Sequence, residues 1–583
     1  MRRFLVLAVV ALLAFSVVPA AVAQEDDTVT IRVGNTQDWE TLNPTWGYLV
    51  SEWEVWNNQY EGLTTRDENL EIAPGLAESW DGSDDGLTYT YTLRDGLTWS
   101  DGEPITADDV VWTIETSKEQ EWENYVYFTQ YLTVTALDER TVQVTSSIPT
   151  PQLPDMGFII LPKHIWEPLG DADGVASHDG TDGVGSGPFV LAPDGFQDQQ
   201  AVTMVANPNW YGWEGEEPPV DQIIFRHFEN SDAMVAALES GEIDAAHNVP
   251  AAAVENLESN EDIEVVIGYQ GTIEEIAVNG GAGPAQPHPA LLDVEVRRAM
   301  GHAIDKQALI EDLWYGHAQE GVTFLPSVDR KWMPEFTDEE KFNFDPDLAN
   351  QMLDEGGYLD SDGDGIREMP DGTNPIVIRH LVNTNEALAA QYGDLLVGWM
   401  GAIGIGVELE AMDSDQLGTA IIEGNYDTFA WGWTPGVDPD GMLSSFIADE
   451  IEGWNDANWV DERYDELYLQ QIEELDEDTR IEQVHEMMKI FHEGATYISV
   501  LETPEIQAYR TDGFEGWVRQ PAEDGPIMYS TTSPSYAALQ PVGGGGGDDG
   551  GVNWLLIGGV AAVAVVAGVF VATRRRGTAD ERE

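Results

Sequence analysis

The chain carries 107 Asp and Glu against 26 Lys and Arg, a formal net charge of −81 over 583 residues. Most carboxylates therefore have no possible counter-ion within the chain and must face solvent. They are spread along the sequence and often doubled, as at Asp84-Asp85, Asp108-Asp109 and Glu339-Glu340. Such a surface repels itself at ordinary salt. At about 1 M salt the screening length falls to about 3 Å and the repulsion largely vanishes. The composition reads as adaptation to hypersaline surroundings; an acidic surface at ordinary salt and a cation-binding surface are the alternatives. Nucleic acid is excluded as a partner, because its phosphates would be repelled.

There is no cysteine, which excludes disulfides, thiol catalysis and Cys-held metal or haem. With 42% hydrophobic and 23% charged residues, the chain is neither a multi-span membrane protein nor disordered. Its 20 Trp imply a large core, a cleft that favours sugars or aromatic groups, or both.

The ends suggest a topology. Residues 1–23 read as a signal peptide: Arg2-Arg3, an apolar stretch from Phe4 to Val18, and Ala21-Val22-Ala23 as cleavage site. The Arg pair leaves open a twin-arginine route beside the general secretory one. At the other end, 541–553 reads as a Gly-rich tether. Residues 554–573 read as one transmembrane helix, flanked by Trp554 and by Arg574-Arg575-Arg576 at the start of a cytoplasmic tail, 574–583. The expectation is a protein on the extracellular side of the cell membrane, anchored by this C-terminal helix.

Between the ends, strands and helices mix. Val29–Val33 reads as a strand. Leu87–Leu93 (LTYTYTL) alternates strictly, with Tyr on one face and Thr on the other. Thr106 is placed to cap a helix, with Asp109 in the capping-box position. Arg297–Trp314 and Tyr464–Phe491 have helical spacing, broken only by Gly301. The class is α/β or α+β.

Ordered blocks then carry a family likeness: PGLAESW at 74–80, YTLRDGLTWSDGEPITADDVV at 91–111, Gly185-Ser186-Gly187-Pro188-Phe189, Asn207-Pro208-Asn209-Trp210-Tyr211, Leu238–Asp244, Val296–Met300 with Ile304-Asp305-Lys306, and Tyr426-Asp427 through Trp431-Gly432-Trp433 to Asp438-Pro439. Over roughly 28–535 the chain resembles family 5 extracellular solute-binding proteins, the peptide/nickel/oligosaccharide class serving ABC transporters; the acidic composition suggests a halophilic archaeon. The resemblance implies an α/β, two-lobed periplasmic-binding-protein-like (type II) fold with an extra inserted domain. Mapped here, lobe one comprises 28–60, 181–275 and 506–535, the inserted domain 61–180, and lobe two 276–505. It implies a monomer that captures a small-molecule solute, an oligopeptide or oligosaccharide, by hinge closure and delivers it to permease subunits.

The candidate cleft residues are Trp39, Trp46, Trp431, Trp433 and Asp438, with Asn383 and Asn385. Trp431 and Trp433 flank Gly432 and share a face if the segment is a strand; they form either a stacking platform or part of the core. Peptide-binding members place an Asp a few residues before the DP pair. Here Thr434-Pro435-Gly436-Val437 intervenes without a carboxylate, which leaves Asp438 or Asp440 as substitutes for the usual partner of a peptide amino terminus.

Asp360, Asp362, Asp364, Ile366 and Asp371 have the spacing of a calcium loop, with Gly365 at the turn. A structural Ca²⁺ and a plain acidic turn both fit, and no cofactor is otherwise required. No nucleophile elbow, P-loop or zincin motif is present. Carboxylate pairs are evenly spread and read as a solvated face. An enzyme is not expected.

Overall fold

The computed structural model describes residues 28–543, apart from 48, 123, 126–128, 285, 325–329, 385–387, 435 and 529–533. The stretches read as signal peptide (1–23), transmembrane helix (554–573) and tail (574–583) lie outside these residues. The expectation of a C-terminal membrane anchor is corrected: among the described residues no helix is long and apolar enough to cross a membrane.

Three sheets organise the chain. A seven-stranded mixed sheet runs in the order Ile263–Gly268, Glu505–Arg510, Ala245–Ala246, Thr30–Asn35, Gln222–His227, Ala201–Ala206, Phe189–Gln197. A six-stranded sheet runs Gln319–Glu320, Tyr497–Glu502, Ile273–Val278, Thr428–Trp433, Val377–Asn383, Gly406–Met412. A four-stranded antiparallel sheet joins Ala77–Gly82, Thr88–Leu93, Thr141–Ser146 and Leu132–Ala136. Gln540–Pro541, where the tether was expected to begin, instead pairs with Phe514–Glu515.

Each sheet is covered on the faces its alternation makes apolar. In the six-stranded sheet, Ile276 and Val278 pack with Ile378 and Ile498, while Ile273 and Ala277 pack on the opposite face with Phe429 and Tyr497. In the small sheet, Tyr89 and Tyr91 lie on one side with their rings 6.5 Å apart, as strict alternation dictates. Thr106 caps the helix Ala107–Glu119 by accepting from the Asp108 amide, and Asp109 completes the capping box.

Two long helical readings split. Arg297–Trp314 becomes Val294–Ala303 and Lys306–Asp312, because the Asp305 carboxylate accepts from the Ala308 amide and starts a new helix. Asp476 does the same between Glu462–Gln471 and Glu477–Gly494. In both cases an Asp side-chain cap opens a new helix inside a stretch whose spacing reads as continuous.

The two large sheets are linked by two short passages, Gly268 to Ile273 and Glu502 to Glu505. They lie against each other, with the Thr503 amide donating to the Thr272 carbonyl at 2.9 Å. Paired crossings of this kind let two rigid bodies rotate with few backbone changes. The four-stranded domain reaches across to the body around the six-stranded sheet: the Gln152 amide donates to Asp438 at 2.8 Å, and Leu475 packs directly over Gly86.

Candidate functional site

The strand Thr428–Trp433 runs parallel to Val377–Asn383 and ends beside the crossing passages, where Trp433 pairs with Ile273. Alternation puts Phe429, Trp431 and Trp433 on one face. Their rings form a ladder, Phe429 to Trp431 at 6.2 Å and Trp431 to Trp433 at 6.4 Å, continued by Trp454 at 6.3 Å. Phe429 is fully buried, but Trp431 is 38% and Trp454 66% exposed. The ladder therefore begins in the core and opens into solvent, an arrangement suited to stacking against a flat or cationic group.

Beside the ladder lie acids. Glu275 stands opposite Trp431 on the neighbouring strand, buried, and burial with Asp456 and Glu274 nearby pushes its carboxyl well up. Asp456, from the Trp454 loop, accepts from the Tyr497 hydroxyl, whose oxygen accepts from the Trp433 indole at 3.1 Å. Burial pushes Asp456 up to about 7. On the other sheet face Tyr392 donates to Glu274.

The remaining sequence candidates separate. Trp39 is not in the cleft: its indole donates to the Ser51 carbonyl at 3.0 Å and its ring packs against Phe225, so it is core. Trp46 is 37% exposed on the turn that follows. Asn383 ends the strand beside Thr428–Trp433 and accepts from Ser414; Asn385 lies outside the described residues. Asp438 is not free for a solute. Arg480 holds both its oxygens at 2.7 Å and Gln152 shares one, so its carboxyl sits below its usual range despite burial. Asp440 is likewise taken, by the Gln471 amide at 2.7 Å.

In the acidic loop, Asp360, Asp362, Asp364 and Glu368 bring one oxygen each within 4.8 Å of one another. Glu368 replaces the expected Asp371, which instead accepts from the amide and hydroxyl of Thr373 within its own turn. Ile366 contributes its amide to Asp364. These four hard oxygen donors could hold a divalent cation.

Sequence reasoning passed over Glu275, Asp456, Trp454 and Tyr497. The signal available was IEEIAV at 273–278: a short apolar strand that carries two acids has to bury one of them.

Two mixed sheets joined by a double crossing, with an aromatic face opening beside it, define a bilobal binding protein. The chain belongs to the bacterial extracellular solute-binding proteins, family 5: the model of that family's middle part matches residues 71–453. It is similar to di/tripeptide-binding protein 1 of Pseudomonas aeruginosa, 26% identical over 470 residues that span 75% of this chain and 82% of the relative. Among solved structures it resembles NikA of Brucella suis in complex with Fe(III)-EDTA, with a TM-score of 0.76 and 21% identity over 88% of this chain and 99% of that one. It also resembles the oligopeptide-binding AppA of Bacillus subtilis in complex with a nonapeptide, with a TM-score of 0.71 and 23% identity over 86% and 98%. The periplasmic-binding-protein type II fold is shared with both. Proteins of this family are substrate-binding components of ABC importers and not enzymes.

Proposed function

We propose that the chain captures a short peptide between its two lobes and presents the closed form to the permease of an ABC importer. The observation that carries this is the aromatic ladder Trp431–Trp433–Trp454, which leaves the core of one lobe and opens beside the two crossing passages. Closure over a solute requires only that the closed state bind it more tightly than the open one. The named ligand class of the Pseudomonas relative and the nonapeptide in AppA support peptide as the solute. Exposed indoles also suit an oligosaccharide, which stands as the second reading.

The test is thermal unfolding in high salt with di- and tripeptides, longer peptides and oligosaccharides. A bound solute at a hundred times its Kd adds about 2.7 kcal/mol of stability. Stabilisation by peptides alone supports the first reading and by oligosaccharides alone the second; appearance of a reaction product would overturn both.

We assign the Asp360–Glu368 loop a structural part, stapled by Ca²⁺. Calcium added after chelation should raise Tm in the wild type and in Asp371→Ala alike, and by less in Glu368→Gln. Equal calcium responses in all three would remove the ion from this loop.

A further inference from the structure

Glu275 is 1% exposed, yet neither of its carboxylate oxygens has a hydrogen-bond partner. It stands on the sheet face of Trp431 and Trp433. Asp456 acts on it electrostatically, and Tyr497 feels both acids. Among the described residues no Arg, Lys or His is a charge partner of either acid. Other buried acids meet a cation or a hydrogen-bond donor, as Glu61 and Asp440 do; a buried carboxyl with neither is a large desolvation cost.

The neighbouring wall explains what could meet it. Trp431, Trp433 and Trp454 follow one another at 6.4 and 6.3 Å, and the outer two rings are open to solvent. Indole faces attract cations, most strongly where water is excluded. Asp438 and Asp440, the first carboxylates after the strand that carries Trp431 and Trp433, are bound to Arg480 and Gln471. We propose that Glu275 and Asp456, walled by these tryptophans, receive an alkylammonium group of the captured solute. This rests on the peptide-capture reading and names the chemistry that the site selects.

The experiment is tryptophan-fluorescence and calorimetric titration of the full chain with Ala-Lys-Ala and with the same peptide acetylated on both amines. In the wild type, acetylation should weaken binding about tenfold or more, the scale of an unpaired buried charge. In Glu275→Gln the two forms should bind alike, with Asp456→Asn intermediate and both variants unfolding cooperatively. The free peptide should also displace protons from the acids, so its affinity rises with pH in the wild type and not in Glu275→Gln. The titratable groups that act on Glu275 or feel it are Asp456 from the loop, Tyr497 from the adjacent strand and, from the opposite sheet face, Glu274 and Tyr392.

Equal binding of the two forms to wild type, or an unchanged ratio in Glu275→Gln, would overturn the ammonium site and leave peptide capture standing. If neither peptide binds wild type, peptide capture falls, and hexyltrimethylammonium becomes the probe. A fluorescence change with that ion, lost in Glu275→Gln, would still support the site; no change would overturn it as well.

Discussion

Two buried glutamates, one on each side of the crossing, are equally hidden and oppositely treated. Glu54 accepts from His247 at 2.8 Å and from Tyr536 at 2.6 Å. Burial alone would lower the His247 pKa, but the Glu54 carboxylate and Glu505 hold it up to about 10. The imidazolium answers the Glu54 carboxylate from within the fold. Glu275 has no such partner, and its strand belongs to the sheet that carries the open aromatic ladder. The difference separates a charge that holds the fold together from one that waits for a charge from outside the chain.

The largest expected effect breaks the comparison if its sign is wrong. His247→Ala leaves Glu54 and Glu505 facing a cavity, and removing one member of a buried pair costs about 3–5 kcal/mol. Glu275→Gln removes an acid that has no partner, so the ligand-free protein should be no less stable than wild type at pH 5 and more stable at pH 8. Urea midpoints in high salt measure both. Comparable losses from the two substitutions would mean that Glu275 is as structural as Glu54.

The pH dependence is the next effect. The folded value for Asp456, about 7, lies above its ordinary 3.8, so the folded state holds the proton longer than the unfolded chain does. That contribution is complete below about pH 4 and is lost as pH rises toward 7, amounting to at most about 4 kcal/mol. Glu61 adds a loss of the same sign. Burial pushes it up to about 7 although the Trp210 indole and the Tyr211 hydroxyl donate to it. His247, raised from 6.5 to about 10, contributes fully below about pH 6.5 and loses that contribution progressively as pH rises from there to about 10. Between pH 5 and 8 the ligand-free protein should therefore weaken, and Asp456→Asn should flatten part of the slope. A flat wild-type profile would place charge compensation around Asp456.

What the sequence made legible follows the reach of each interaction. Tyr89 and Tyr91 share a face because alternation is local, and Thr106 caps its helix because its partner is two residues away. Trp431 and Trp433 were readable as a pair for the same reason. Trp39 and Trp46 look alike in the sequence, and only the Ser51 carbonyl, brought back by the following helix, decides that Trp39 is core. Glu275 looks like any of the many surface acids. Its burial depends on strands at 428–433 and 497–502 and on the loop that carries Asp456. Glu368, not Asp371, lies with the three loop aspartates, and the Asp371 carboxylate accepts from Thr373 within its own turn, a contact that ligand spacing alone does not reveal.

The smallest effect concerns an acid between the two extremes. Asp438 is fully answered within its own lobe by Arg480, at 2.7 Å to each oxygen, so the added bond from Gln152 contributes little to folding of that lobe. Its significance is that Gln152 belongs to the four-stranded domain, on the other side of the contact. A hydrogen bond to a charged group is worth about 1.5–3 kcal/mol; Arg480 already answers this carboxylate, so the Gln152 bond falls at or below the low end of that range, and it exists only while the two bodies meet. Gln152→Ala should therefore leave the urea midpoint nearly unchanged and weaken solute binding by about fivefold, mostly through faster release, because a bond that forms on closure slows reopening. A stopped-flow dissociation measurement reads this directly. If Gln152→Ala instead lowers the midpoint and leaves the off-rate alone, the contact is permanent, and closure pivots elsewhere than at Asp438.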